Sequence, residues 1–193
     1  MSTWTEALRR AELVAVGAAL ARRGLIRAFE GNLSCRVDDG HVLVTPRGAD
    51  KARLNGADMV ACRLGVPPPA AASSEVQAHL EAYRACPAHA ALVHAHPPAV
   101  LALAGLGRAP SPPLLREGTA LLPRLEVLPE LEPGSRELAR ACALALQRAP
   151  AVLLKGHGVL CAGDDLWQAL ARVEAMELLA GIALARNGRG GRD

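Results

Sequence analysis

Short apolar runs of strand length fill the middle of this chain, and longer segments with helical periodicity lie before, between and after them. Apolar residues recur at three-to-five-residue intervals across residues 5–23, which predicts an amphipathic helix, and residues 165–186 predict a long final helix. Strands bury their apolar faces when helices cover the sheet that they form. The pattern therefore favours the α/β class, with one sheet covered by helices.

A hairpin signal indicates how part of this sheet is arranged. Asp38-Asp39-Gly40 separates the apolar runs Leu33–Val37 and His41–Thr45, and an Asp-Gly turn is typical of paired antiparallel strands. Part of the sheet is therefore expected to be antiparallel.

Further strands are predicted at 59–64, 90–96, 125–128, 151–154 and 159–161. Further helices are predicted from Glu75, in the first turn, up to Pro87 and from Ser135 to about Arg148, with loop over most of 109–134.

The composition limits the size of the fold and its partners. No linker or repeat divides the chain, so residues 1–187 are expected to form a single domain and residues 188–193 a disordered tail. The formal net charge of +3 comes without a basic stripe, which argues against nucleic-acid binding. Histidines and prolines interrupt the most apolar region, which leaves no run long enough for a membrane span.

Cysteine usage and the start of the chain favour a cytoplasmic location. The five cysteines are scattered, odd in number and never in a C-x-x-C pair, so neither a disulfide framework nor a thiolate zinc site is expected. No secretory signal is evident at the amino terminus. Aromatic residues make up only 2% of the chain, so ligand recognition is expected to depend on polar groups and a metal.

Histidines supply the strongest local signal for chemistry. His94 and His96 lie two residues apart in a predicted strand, so both side chains project from one face and can reach the same ion. His157 stands between two glycines that would allow a third imidazole to approach, which completes the three-ligand set of a catalytic zinc site. The alternatives are that one histidine of the pair packs while the other is solvated, and that the glycines serve only a tight turn. Surface roles are expected for the other three, His41, His79 and His89.

Three polar segments could bind an anion. Ser73-Ser74-Glu75 offers hydroxyls and the free N–H groups of a helix start, and Gly31-Asn32-Leu33-Ser34 and Arg47-Gly48 could present amide, backbone or guanidinium donors. Ordinary helix capping and turn formation explain the same residues equally simply. An anion site is favoured over capping and turn formation only if the three segments are considered together.

Five motifs in this order resemble the class II aldolase family, which includes L-fuculose-1-phosphate aldolase and L-ribulose-5-phosphate 4-epimerase. They are G-N-L-S at 31–34, T-P-R-G at 45–48, S-S-E at 73–75, V-H-A-H-P at 93–97 and K-G-H-G at 155–158. The resemblance spans nearly the whole chain. It implies a three-layer α/β/α fold with a mostly antiparallel sheet and a C4-like homotetramer with active sites at subunit interfaces.

The resemblance also implies roles for individual residues. His94, His96 and His157 match the family's zinc ligands, and Glu75 matches its acid/base residue. The positions that match the phosphate site are Asn32, Gly48, Ser73 and Ser74, with Arg47 as an additional candidate. The implied function is zinc-dependent retro-aldol cleavage of L-fuculose 1-phosphate, or a close ketose 1-phosphate, to dihydroxyacetone phosphate and an aldehyde.

Two departures leave other functions open. Arg47 stands where family aldolases commonly have threonine, and the single tyrosine, Tyr83, lies in a predicted helix rather than in the middle loop or carboxyl tail that supplies tyrosines to fuculose aldolases. A methylthioribulose-1-phosphate dehydratase and a pentulose-phosphate 4-epimerase therefore remain alternatives. A non-catalytic assembly protein like the adducin head domain is disfavoured, because all three histidines are present.

Overall fold

The computed structural model describes residues 3–111 and 115–187, and within them the chain forms seven strands and six α-helices. The strands are β1 (Asn32–Arg36), β2 (His41–Val44), β3 (Val60–Arg63), β4 (Ala91–Ala95), β5 (Glu126–Leu128), β6 (Ala151–Leu154) and β7 (Gly158–Gly163). The helices are α1 (Thr3–Arg22), α2 (Val76–Ala85), α3 (Pro98–Gly105), α4 (Arg116–Leu121), α5 (Arg136–Leu146) and α6 (Leu166–Asn187).

All seven strands form one sheet, in the order β3-β2-β1-β4-β7-β6-β5. Every pair is antiparallel except β5 with β6 at one edge, so the expectation of a mostly antiparallel sheet is confirmed. The Asp38-Asp39-Gly40 turn joins β1 to β2 as the hairpin signal predicted. Because β4 lies between β1 and β7, the chain places Asn32 and Leu160 on either side of His94.

Side chains alternate across the sheet and separate two apolar clusters. In β4, Val93 is fully buried in the cluster that α1, α3 and α6 cover. Its neighbour Leu92 lies in the second cluster, which α2 and α5 cover. The architecture is therefore three layers, as expected, and successive residues of one strand reach opposite layers. His94 follows Leu92 by two residues and so faces the α2 and α5 side.

The sequence patterns did not predict two of the helices, α3 and α4. α3 begins at Pro98, within the Pro97-Pro98 pair that suggested only an interruption, because proline is well accommodated in the first turn of a helix, where its missing N–H is not needed. Glu177 of α6 then accepts the free N–H groups of Ala99 and Val100 at 2.9–3.1 Å. α4 lies in the proline- and leucine-rich stretch expected to be mostly loop.

Some boundaries also differ from expectation. α2 begins at Val76, so Glu75 immediately precedes the helix instead of lying in its first turn. The predicted tail at 188–193 lies outside the described residues. In the part of the chain that the structure describes, no helix is both long and apolar enough to cross a bilayer.

Candidate metal centre and active site

Three imidazoles from distant parts of the sequence meet at one end of the sheet. His94 lies in β4, His96 directly follows that strand, and His157 lies in the turn between β6 and β7. Their ring centroids are 4.6–5.3 Å apart, and one ligand atom from each ring can be chosen so that all lie within 4.8 Å of one another. The structure thus brings together the three residues that the sequence proposed as metal ligands.

Glycines allow this convergence. A Cβ on Gly158 would lie 2.7 Å from Cδ2 of His96 and 3.2 Å from Cε1 of His94, and closer still to the carbonyl oxygen of Ala95. Gly31 has φ +67°, and a Cβ there would lie 2.6 Å from the carbonyl oxygen of His94. Strand β4 can therefore carry its two histidines between β1 and β7 only because both neighbours lack a side chain at these positions.

The buried ring of His94 is oriented by the backbone. Its Nδ1 lies 2.8 Å from the carbonyl oxygen of Val159, which can only accept, so Nδ1 carries the hydrogen and the Nε2 lone pair faces the other histidines. Burial lowers the pKa of His94 to about 3, and burial also lowers the pKa of His96. Both rings are therefore neutral near pH 7, which is the form that binds a metal.

Glu75 holds its carboxylate against the same cluster. Oε1 lies 3.2 Å from Nε2 of His157, and Oε2 lies 3.3 Å from Nε2 of His94 and accepts the side-chain amide of Asn32 at 2.8 Å. Burial acts to raise the pKa of Glu75, but the hydrogen bonds from His157 and Asn32, together with the positive charge that His94 gains at low pH, outweigh burial and hold this pKa well below its ordinary value. The carboxylate is therefore ionised and able to accept a proton.

The donor set fits a metal ion. In a tetrahedral zinc site with bonds of 2.0–2.1 Å, neighbouring ligand atoms lie roughly 3.3 Å apart. The Nε2 atoms of His94 and His96 are 3.0 Å apart, and both carboxylate oxygens of Glu75 come within 3.3 Å of an imidazole nitrogen. Nδ1 of His157 is buried and has no hydrogen-bond partner in the described part of the chain. The lone pair on Nε2 of His94 faces Nε2 of His96, and either a hydrogen on His96 or a bound cation would satisfy this contact.

The segments predicted to bind phosphate lie side by side. Pro46 pairs with Ala72 in an antiparallel bridge, and the N–H of Ser73 donates to the carbonyl oxygen of Thr45 at 3.2 Å, which places residues 45–48 along residues 71–75. Gly48 adopts φ +63° with open space around it. Arg47 and Ser74 are exposed, whereas Ser73 is buried. The geometry is compatible with an anion site, and the phosphate role of these residues stays a prediction.

The sequence analysis missed two residues of this site. His79 was expected at the surface, which is wrong: it is buried against the sheet, where its Nε2 lies 2.5 Å from Oδ1 of Asn32. The signal that could have found it is its position four residues after Glu75, because residues four apart in a predicted helix lie on the same face. Glu30 is the second missed residue. Its carboxylate lies 3.7 Å from Nδ1 of His96, the ring nitrogen opposite the one that faces His94.

Three imidazoles and an ionised carboxylate at one end of a three-layer α/β/α fold are the donor set of a metal-dependent enzyme. Comparison with known proteins agrees with this class. Residues 11–184 match the family described as Class II Aldolase and Adducin N-terminal domain. The chain therefore belongs to this family, and the resemblance seen in its five motifs is confirmed.

Relatives in this family carry out different reactions. Methylthioribulose-1-phosphate dehydratase of Acidiphilium cryptum is 35% identical, with 90% of this chain and 88% of the relative covered. The 3-oxo-tetronate 4-phosphate decarboxylase of Haemophilus influenzae is 30% identical, with 96% and 91% covered. The crystal structure of L-fuculose-1-phosphate aldolase from Thermus thermophilus is 35% identical with a TM-score of 0.88, covering 96% of this chain and 98% of that one. The chain is an enzyme of the class II aldolase type, and the comparisons leave its substrate open.

Proposed function

We propose that this protein is a zinc-dependent lyase that cleaves a ketose 1-phosphate similar to L-fuculose 1-phosphate into dihydroxyacetone phosphate and an aldehyde. The observation that carries the proposal is the position of Glu75, whose two carboxylate oxygens lie 3.2 and 3.3 Å from Nε2 of His157 and His94. An ionised carboxylate at a metal centre is suited to moving a proton on the carbon next to a carbonyl. Retro-aldol cleavage requires that transfer.

The chain's own residues supply the remaining chemistry. His94, His96 and His157 would hold the zinc ion, which would supply Lewis-acid polarisation of the substrate carbonyl. When the carbon–carbon bond breaks, its electron pair passes to the fragment that becomes the enediolate, and the proton of the hydroxyl that becomes the aldehyde leaves to Glu75, directly or through a water molecule. Glu75 then delivers a proton to the enediolate carbon. Its lowered pKa means that it must first accept the proton that it later donates.

The phosphate group has a proposed place beside α2. Gly48, Ser73 and Ser74 offer backbone N–H and hydroxyl donors, and the exposed guanidinium of Arg47 adds a positive charge. Asn32 can offer the second hydrogen of its amide, since the first is donated to Glu75. We further propose a cytoplasmic homotetramer with this site at subunit interfaces, on the strength of the family resemblance.

Dehydration is the second candidate, and one observation favours it. The single tyrosine, Tyr83, is 1% exposed and hydrogen-bonded to Ser34 at 2.9 Å, so it cannot serve as the tyrosine acid of a fuculose aldolase. Elimination of water needs a base on carbon and an acid at the departing hydroxyl, and Glu75 can serve as the base. The 35% identity to a methylthioribulose-1-phosphate dehydratase supports the same alternative.

One assay separates the two reactions. Purified zinc-loaded protein is incubated separately with L-fuculose 1-phosphate and with methylthioribulose 1-phosphate, and dihydroxyacetone phosphate is measured by coupled reduction with NADH. Release of dihydroxyacetone phosphate supports cleavage, whereas loss of water without it supports the dehydratase. The Glu75→Gln protein prepared in parallel controls for a contaminating aldolase. Turnover of neither compound would count against both proposals.

A further inference from the structure

A chain of hydrogen bonds leads from Glu75 into the interior between the sheet and α2. The Asn32 amide joins Glu75 at 2.8 Å and Nε2 of His79 at 2.5 Å. Nδ1 of His79 lies 2.6 Å from the Ser34 hydroxyl, which lies 2.9 Å from the hydroxyl of Tyr83. Apart from Glu75, all of these side chains are at most 3% exposed. We call these five residues the Glu75 relay.

The direction of each hydrogen bond in the Glu75 relay follows from its first member. An ionised carboxylate can only accept, so Nδ2 of Asn32 donates to Glu75 and Oδ1 is left as an acceptor. His79 must then donate from Nε2, which makes its Nδ1 the acceptor for the Ser34 hydroxyl. Tyr83 in turn donates to Ser34. One assignment of hydrogens satisfies every group.

The orientation of the Asn32 amide decides how Glu75 is held. If the amide turned over, its oxygen would face the carboxylate, and its NH₂ group would face a nitrogen of His79. Two contacts in the Glu75 relay prevent this: the carboxylate can only accept, and the Nε2 hydrogen of His79 needs the amide oxygen as its acceptor. Burial lowers the pKa of His79 to about 4, so the ring remains neutral near pH 7, and its hydrogen bonds to Asn32 and Ser34 select this tautomer.

We propose that His79 is a positioning residue, whose Nε2–H fixes the Asn32 amide so that Asn32 directs the Glu75 carboxylate at the metal centre. The proposal rests on the proposed function insofar as Glu75 transfers the proton. His79 touches neither the three metal ligands nor the predicted phosphate residues other than Asn32 in the described contacts. The hydrogen-bonded path from His79 to Glu75 therefore runs through Asn32.

Two substitutions of His79 separate positioning from packing. In His79→Gln, the side-chain NH₂ group can reach the place of Nε2 and donate to Asn32, while Ser34 loses its acceptor. In His79→Asn, the shorter amide can accept from Ser34 but cannot reach Asn32. Each variant loses one buried hydrogen bond, so a purely structural histidine predicts similar effects from both.

Kinetics of the zinc-loaded variants give the first readout. His79→Asn is expected to lower kcat by about 10- to 100-fold with KM and zinc content little changed, which is the loss typical when a residue that orients a metal-site group is replaced. His79→Gln is expected to recover most of that kcat. His89→Asn is the matched control, because His89 is a half-buried histidine whose Nε2 donates only to the carbonyl oxygen of Leu146. Equal losses in His79→Gln and His79→Asn, or wild-type kcat in His79→Asn, would overturn the proposal.

A spectroscopic readout does not depend on identifying the substrate. ¹⁵N-histidine NMR of the wild-type holoprotein, with His79 assigned by the signal lost in His79→Gln, is expected to show a protonated Nε2 and an unprotonated Nδ1 at neutral pH. An Nδ1–H tautomer or a charged ring would refute the positioning role even if the proposed reaction is correct. If no ketose phosphate is turned over, the proposed reaction fails, and the tautomer still decides whether His79 orients Asn32.

Discussion

Replacing Gly158 with alanine would place a methyl group where β7 passes closest to β4. That methyl carbon would lie 2.7 Å from Cδ2 of His96 and 3.2 Å from Cε1 of His94. Ordinary contact begins at 3.4 Å, so the edge of the His96 ring must move by about 0.7 Å. The carbonyl oxygen of Ala95 is closer still, which means that the backbone of β4 must yield as well as the ring.

The expected consequences differ for stability and for metal binding. Overpacking of a tightly packed interior typically costs about 1–3 kcal/mol, so the free energy of unfolding should fall by that amount. Metal sites tolerate ligand displacements of about 0.2 Å, and a shift of this size exceeds that tolerance several-fold. Zinc affinity is therefore expected to fall at least about tenfold, in line with losses seen when ligand orientation is disturbed.

Gly163→Ala is the matched control at the other end of β7. A Cβ there would lie 2.6 Å from both the Ala169 nitrogen and the Asp165 oxygen, so the steric conflict is comparable but falls on the start of α6. Urea denaturation measures the free energy of unfolding, and titration against a chelator of known affinity measures zinc binding. Both variants should be destabilised, and only Gly158→Ala should also lose zinc affinity.

Gly158→Ala could instead bind zinc as tightly as the wild type while losing stability. Gly163→Ala could also weaken zinc binding as much as Gly158→Ala does. Either result would mean that the close approach of β7 to the histidines does not position the metal ligands.

His94→Ala should remove most of the bound metal while the protein remains folded, as elemental analysis and circular dichroism would show; unchanged metal content would contradict the ligand role. Glu75→Gln should keep its metal but lose turnover by a factor of about 10² or more, and wild-type rates would exclude Glu75 as the proton carrier. Glu177→Ala should lower the free energy of unfolding by about 1 kcal/mol in urea, because the N–H groups at the start of α3 lose their acceptor; no change would show that solvent replaces it. Burial lowers the pKa of His79 from 6.5 to about 4, so stability present above pH 6.5 is lost as the pH falls towards 4. Between pH 7 and 5 the wild type should lose about 2 kcal/mol more than His79→Gln in urea denaturation, and parallel losses would refute this linkage.

Local patterns predicted most of the elements and the three histidines that the structure brings together as candidate metal ligands. The helical periodicity of 5–23 and 165–186 and the Asp-Gly hairpin each depend on neighbours within a few residues, and these predictions agree with α1, α6 and the β1–β2 pair. His94 and His96 share a face for the same local reason, since strand side chains alternate. The helix at Pro98 was missed because proline disrupts the interior of a helix but is tolerated in its first turn, so a proline in the sequence can indicate either the end or the start of a helix.

The contacts between distant segments were not available from such patterns. The order of the strands, with β4 between β1 and β7, places His157 within reach of His94, and the packing of α2 against the sheet places Glu75 beside Asn32. The burial of His79 likewise depends on which face of α2 packs against the sheet, which the four-residue spacing from Glu75 suggests but only the tertiary packing decides. The sequence by itself thus determined which segments form helices and strands and which residues could supply the chemistry. Convergence, burial and the direction of the hydrogen bonds were decided by tertiary structure, because they depend on contacts between residues far apart along the chain.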